Sequence, residues 1–503
     1  MSDKPRLETR SGILEGRSEH GLAVFRGVPF AAPPTGARRW APPLREDAWR
    51  DVRHADAIGP ASPQRASLVM RMVGLEGLAQ DEDCLTLQVW TPALDAARRP
   101  VLVWLHGGGF TAGAGSLPLF DGAVLAGRGD AVVVTVNYRL GALGFLAHPD
   151  LQHAGEIGAN FGLLDQIAAL GWVREHAAQL GGDPDNVTLF GESAGAMSIG
   201  ALLGVPSAQG LFQRAILQSG AAHNVSPRAN GLRIAELFRA ALGQPDATID
   251  ALRALPVEAI LQAQGKVIDE SWRQVEGLAF QPIVDGAVIP VAPLDAVAAG
   301  ASRGVALLLG TNLDEWRLFA LTDLKVRAMD DAGLLRRLAR VPPAAVDDAE
   351  AFARRAVRTY RDARSDKLPI DAPSLWLAMQ TDRVFRIPAL RLAERQQARI
   401  HTYLFDWASP ALDGALGSCH GIELPFVFGT LHDPRAAQLV GSGPAADRLA
   451  AEIQDAWLAF ARSGDPGWPA YDTEKRSTRR LGRSSDLELD PQGAERAFWD
   501  GLL

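Results

Sequence analysis

No stretch restricts the fold of this chain more than residues 186–203, NVTLFGESAGAMSIGALL. A β-branched and Leu/Phe run enters Gly-Glu-Ser-Ala-Gly and leaves as an Ala-rich segment, the order of a strand, a sharp turn and a helix. Side chains at Gly191 and Gly195 would crowd such a turn, and Ser193 would be thrust out of it in strained backbone. A helix beginning there favours negative charge beside the hydroxyl. Ser193 is therefore a candidate nucleophile. The bland alternative is a chance match in a chain that holds 50 glycines. Glu192 is either a plain charge at a helix N-terminus or a group that tunes the field at the site.

A strand that feeds such a turn belongs in a sheet covered on both faces, and the chain supplies its neighbours. VLVWL (101–105), VVVTV (132–136), AIL (215–217), VALLL (305–309) and HTYLF (401–405) are short continuous apolar runs, as strands buried on both faces are. Residues 7–30 alternate short apolar stretches with Gly turns and are expected to form small antiparallel strands. Helix-length segments such as LLDQIAALGWVREHAAQL, and the Ala/Leu/Arg-rich stretch around 333–358, alternate with the strands. The expected class is α/β, a mostly parallel sheet flanked by helices. Residues 224–275 and 320–395 hold no comparable strand and are expected to be helical insertions that cap the sheet, so that 1–503 form one catalytic domain. No internal repeat or low-complexity linker interrupts the chain.

A net charge of -8 argues against a nucleic-acid surface. The N-terminal MSDKPRLETR lacks an apolar signal-peptide core, and no later run reaches a membrane span, so the cytoplasm is the expected location and no membrane partner is expected. Cys84 and Cys419, far apart, are read as free thiols. GAGS at 113–116 lacks phosphate-loop spacing and a following helix, which discounts a nucleotide.

Directly after VLVWL comes His106-Gly107-Gly108-Gly109-Phe110. Glycines let backbone N–H groups approach an oxyanion with no Cβ in the way, so Gly108, Gly109 and the amide of Ala194 are candidate donors. A flexible Gly connection is the alternative. Folds with this serine turn carry their acid and then their histidine downstream of it. Of the four histidines that follow Ser193, His223 leaves no room for an acid strand between and His401 opens a strand. That leaves His420, in the loop GSCHG, and His432, in a surface-like LHDP turn, and the first of these suits a general base better. Asp314 and Glu315 follow the end of VALLLG and stand level as candidate acids, ahead of Asp406 and Asp413.

Taken together, FRGVPFAAPP, EDCLTLQVW, VWLHGGGF, NYRLGALGFL, GESAGAMS, ILQSG, QPIVDG, GTNLDEW, CHGIELPFVFG and WLAFARSGDPGWPAYD resemble the type-B carboxylesterase and cholinesterase family over nearly the whole chain. The resemblance implies an α/β-hydrolase fold and a serine carboxylesterase that needs no metal or organic cofactor. It gives the acid's role to Glu315 of the Asp-Glu pair and a supporting place beside the triad to Ser219. It also implies ion pairs Arg39–Glu82 and Arg139–Asp165, and an acyl pocket that includes Leu278 and Phe280. Small aliphatic or aryl esters are the expected substrates, with activity rising through about pH 6.5, the reference value of histidine. Lipase, carbamate or amide hydrolysis and a non-catalytic interaction module of the same fold are the alternatives; oligomeric state is not readable.

Three departures from the family pattern bear on the pocket. Ser62 stands where Cys84 would find its disulfide partner. The loop between Ser62 and Cys84 holds no Trp, so the aromatic anchor for a quaternary ammonium is missing and choline esters are disfavoured. Trp316 follows Glu315 where Gly is usual.

Overall fold

The computed structural model describes residues 4–65, 77–153, 156–271, 274, 275, 277–365 and 368–503. Parts of two expected features, the Ser62–Cys84 loop (66–76) and the helical insertions (272, 273, 366, 367), lie outside the described residues.

Eleven strands make one sheet. In chain order they are β1 (Arg17–Glu19), β2 (Leu22–Pro29), β3 (Thr86–Thr91), β4 (Arg99–Leu105), β5 (Val132–Val136), β6 (Gly182–Glu192), β7 (Arg214–Gln218), β8 (Ala306–Asn312), β9 (Ile400–Phe405), β10 (Ser477–Leu481) and β11 (Leu487–Leu489). Across the sheet they run β11-β10-β9-β8-β7-β6-β4-β5-β3-β2-β1. The stretch from β10 to β5 is parallel, while β11 and the β3-β2-β1 edge pair antiparallel. All six apolar runs became β4 to β9. Every residue of β4, β5 and β9 is buried, which is why those runs lack the alternation of a half-wet strand. Two further strands, Arg6–Thr9 and Gly12–Glu15, form with Arg53–His54 a separate small sheet.

Helices cover both faces. Those used below are α1 (Phe161–His176), α2 (Ala194–Leu202), α3 (Arg228–Ala241), α4 (Val257–Ser271), α5 (Ala349–Arg364), α6 (Ala372–Thr381), α7 (Ile387–Arg395), α8 (Pro444–Ser463) and α9 (Gly493–Phe498). The Ala/Leu/Arg-rich stretch is not one helix. It splits into Asp331–Ala339 and α5, because Pro342 and Pro343 cannot continue a helical hydrogen-bond ladder. α8 begins with Pro444 at its first turn and ends where Gly464 takes a left-handed φ of 76° and donates to Phe460 O.

On one face of the sheet α1 and α2 pack over Val103, Leu189 and Leu217; on the other, Trp457 of α8 joins Trp104, Phe190 and Phe428. A third cluster unites α5, α6 and α9 through Tyr360, Trp376 and Trp499. Behind it lies a buried charge network. Arg386 donates to both oxygens of Asp382 (2.6 and 2.8 Å), Tyr360 Oη donates to Asp382 (2.5 Å), and Arg364 donates to Glu495 of α9 (3.3 Å). Asp382 and Arg386 begin and end a π-helical turn, Asp382–Arg386, inserted between α6 and α7. The expected Arg39–Glu82 and Arg139–Asp165 pairs are formed, with Arg139 and Asp165 both buried. Cys84 and Cys419 are buried free thiols.

Candidate active site

The C-terminal ends of parallel strands meet in one place, the usual position for sites in α/β sheets. β6 ends in Glu192 and passes into Ser193, which has φ 53° and ψ −125° and donates its N–H to Gln218 O at 2.9 Å. A Cβ at Gly195 would stand 1.9 Å from Leu105 O and one at Gly191 would stand 2.8 Å from it, so only glycine lets α2 approach β4 this closely. Holding a serine in this conformation costs about 1–3 kcal/mol, supplied by the packing of α2 against the sheet.

β8 ends in Asn312 and delivers Asp314 and Glu315. The pair divides its work. Glu315, fully buried, accepts from Asn312 N–H (2.7 Å) and Ser219 Oγ (2.5 Å) on Oε1, and its Oε2 lies 2.7 Å from His420 Nδ1. Asp314 points into the histidine loop instead. It accepts from Ser418 N–H (3.0 Å), donates its own N–H to Ser418 O (2.9 Å) and pairs with Arg317. His432 lies in an exposed turn, and Asp406 pairs with Arg480, so neither is part of this cluster.

His420 Nε2 has no hydrogen-bond partner among the described residues. Glu192 Oε1 lies 3.0 Å away, outside hydrogen-bonding geometry, and is likewise unpartnered. Three carboxylates surround this one imidazole. The third, Glu423, is fixed by Gln218 (3.0 Å) and Asn312 (2.7 Å). Burial, joined by the charges of Glu423 and Glu315 and opposed by His420, pushes Glu192 up to about 8. Burial works against a charged imidazole, but Glu192, the Glu315 hydrogen bond and Glu423 outweigh it and push His420 up to about 9. As Glu192 takes its proton it ceases to raise His420.

The glycine loop after β4 is braced from below. His106 stacks on Tyr138 at 4.4 Å, Tyr138 Oη donates to His106 O (2.7 Å), and burial pushes His106 down to about 4, so it stays neutral. Gly108 has φ 113°, and a Cβ there would meet Ala112 O at 2.1 Å; Gly109, at φ 62°, faces open space. The amides of Gly108, Gly109 and Ala194 have no acceptor among the described residues.

All of this opens on a cavity of about 1110 Å³, lined by Ser193, His420, Glu192 and Gly107 to Gly109. Leu278 is on its wall. Phe280 is not: it is fully buried behind the wall, edge-on to Phe238 of α3 at 6.3 Å, a core aromatic rather than a pocket one. Trp316 is on the wall beside Phe319, and Phe319 and Phe385 stand 5.1 and 4.8 Å from the His420 ring. Phe385 comes from the π-helical turn, a place no periodic pattern points to. Glu423 was also missed. Its signal was its position three residues after His420.

The carboxylesterase family profile matches residues 3–499. The chain is 38% identical over 501 residues to a para-nitrobenzyl esterase of Bacillus subtilis, covering 97% of each, and 36% identical to a phenmedipham hydrolase of Pseudarthrobacter oxydans, covering 94% of each. Its structure superposes on a carboxylesterase of Geobacillus stearothermophilus with a TM-score of 0.84 at 38% identity, covering 98% of this chain and 99% of that one. A para-nitrobenzyl esterase structure gives 0.87 at 36% identity, with both chains covered fully. Among the described residues no helix is long and apolar enough to cross a membrane. A match over essentially the full length, with the α/β-hydrolase fold around it, makes this chain a member of the carboxylesterase family and a carboxylic ester hydrolase acting on small-molecule esters.

Proposed function

We propose that Ser193, His420 and Glu315 are a catalytic triad that hydrolyses small aliphatic or aryl carboxylic esters through an acyl-enzyme, within one catalytic domain spanning the chain. The observation that carries this reading is the 2.7 Å contact of Glu315 with His420 Nδ1, which leaves Nε2 unpartnered on the cavity wall shared with Ser193. Nε2 takes the Ser193 proton as Oγ bonds to the ester carbonyl carbon, and the oxyanion rests on the amides of Gly108, Gly109 and Ala194. The tetrahedral intermediate then collapses. The carbonyl carbon–alkoxy bond breaks, and Nε2 passes its proton to the leaving alcohol. Water, deprotonated by Nε2, attacks the acyl carbon, and a second collapse returns the proton to Oγ and releases the acid.

The test is hydrolysis of a short-chain nitrophenyl ester by wild type and Ser193→Ala, with a fluorophosphonate probe alongside. Turnover lost in the variant, with the probe on Ser193, is the expected result. Equal turnover in both, or no labelling, would promote the interaction-module reading.

A further inference from the structure

Arg65 lines the same cavity as Ser193, exposed to it, and neither the fold nor the triad uses its charge. Among the described residues it forms no ion pair within 4.0 Å. Its place is nonetheless built. Gly265 lies within α4, where glycine costs about 1 kcal/mol relative to alanine. A Cβ at Gly265 would stand 1.6 Å from Arg65 Nη1 and 2.7 Å from Cζ, so the missing side chain is the seat on which the guanidinium lies. Gln264, Ile268 and Asp269 of α4 share that wall, and Asp269 is one turn beyond the seat.

An exposed guanidinium on the cavity wall, with no carboxylate within 4.0 Å among the described residues, can receive one from outside. Its planar fork matches a carboxylate bidentately. The same charge repels a cation, and it stands in the loop where the family resemblance led us to look for a cation-binding Trp and find none. Resting on the ester-hydrolase reading of Ser193, we propose that Arg65 is a specificity-determining residue that receives a free carboxylate of the substrate, so that esters carrying a second, unesterified carboxyl group are a favoured class.

Two substrate pairs test this and separate the two places a carboxylate can sit. Nitrophenyl hydrogen glutarate against nitrophenyl pentanoate carries it on the acyl side; 4-acetoxybenzoate against phenyl acetate carries it on the alcohol side. The readout is the ratio of kcat/KM, anionic over neutral, within each pair. In Arg65→Gln the ratio should fall roughly 10- to 100-fold in at least one pair, the range expected for losing hydrogen bonds to a charged group, and mainly through KM. Arg65→Lys should restore part of it. Gly265→Ala keeps the charge and obliges only the end of the flexible Arg65 side chain to shift, so it should change the same ratio less than Arg65→Gln does. Added salt should lower the wild-type ratio and not that of Arg65→Gln. Hydrolysis of all four esters with both ratios unmoved by Arg65→Gln overturns the proposal and leaves the triad standing. No hydrolysis of any of them by wild type, with Ser193 unlabelled, removes the triad reading and this proposal together.

Discussion

Two buried charge clusters meet at the π-helical turn Asp382–Arg386, one through Asp382 and Arg386 themselves and the other where Phe385 stands 4.8 Å from His420, and they are built on different balances. Behind α5, α6 and α9, Arg364 and Arg386 face Asp382 and Glu495, two guanidiniums for two carboxylates, all four buried. Around His420, three carboxylates face a single imidazole, which in the proposed mechanism is neutral when it acts as a base. The first arrangement satisfies its charges and fixes a C-terminal helix to the body of the protein. The second leaves negative charge in excess, so Glu192 and His420 hold their protons above their usual ranges, up to about 8 and about 9. Even in the balanced cluster burial is the largest influence and pushes Glu495 up to about 7, against the pull of both arginines. Balance in number therefore does not restore ordinary titration, but hydrogen-bond geometry ties the pairs together.

The largest effect should come from neutralising the acid in the unbalanced cluster. Glu315→Gln keeps the shape of the side chain and can still accept from Asn312 N–H and Ser219, but it no longer holds the imidazole in the tautomer that leaves Nε2 free. A fall of about 10⁴-fold in kcat is expected, the loss seen when a triad carboxylate becomes an amide. The denaturant midpoint should move little, because one carboxylate fewer relieves repulsion among Glu192, Glu315 and Glu423. A variant that retains more than a tenth of wild-type kcat would remove Glu315 from the triad.

The same substitution chemistry in the balanced cluster should reverse the pattern. Asp382→Asn leaves Arg386 buried without the carboxylate that accepts two of its hydrogen bonds, and breaking one partner of a buried pair costs about 3 kcal/mol. Chemical denaturation should show the loss as a lower midpoint. kcat should fall far less than in Glu315→Gln, with any change confined to the pocket side of the π-helical turn, where Val384 and Phe385 line the cavity. If activity collapses while the midpoint stays put, the two clusters do not divide catalysis and stability in this way.

How much of this was legible depended on range along the chain. The Ser193 turn and the Gly107–Gly109 loop are local: strand, glycines and helix adjoin, so six residues carry their own context. β4 to β9 were legible for the same reason, each being a continuous buried run. β3 escaped notice because Thr86 and Gln88 interrupt its apolar face; both are buried, and Gln88 is satisfied by bonding Gly115 O at 3.3 Å. Asp314 and Glu315 stood level because neighbouring residues share every local signal. The family resemblance chose Glu315, and the tertiary partners, Ser418 for one and His420 for the other, show the physical difference between them. Phe280 was expected in the acyl pocket on the family resemblance, and the residue itself, an aromatic in a loop, reads alike whether it faces a cavity or the core. Phe385 and Arg65 take their places from chain segments far apart in sequence, and nothing local marks them.

The smallest expected effect probes how far the excess charge reaches His420. Glu192→Gln preserves size and removes a charge 3.0 Å from Nε2. In the proposed mechanism the imidazole acts only when neutral, so the rate should rise with pH through the His420 transition. Because that transition is raised above 6.5, the rising limb of kcat/KM in wild type should lie on the alkaline side of 6.5, later than the sequence alone suggested. A nearby negative charge stabilises the imidazolium, so taking it away lowers the transition, and the limb in Glu192→Gln should move to lower pH. The shift should be at most about one pH unit, worth ~1.4 kcal/mol, because Glu192 with its own raised transition already carries a proton through much of the range. A limb that stays in place would mean that Glu192 is neutral wherever His420 titrates, leaving Glu315 alone to set the base. A limb that moves upward would mean that Glu192 lowers the imidazole's affinity for its proton, and the account of an excess of carboxylates driving His420 up would have to be abandoned.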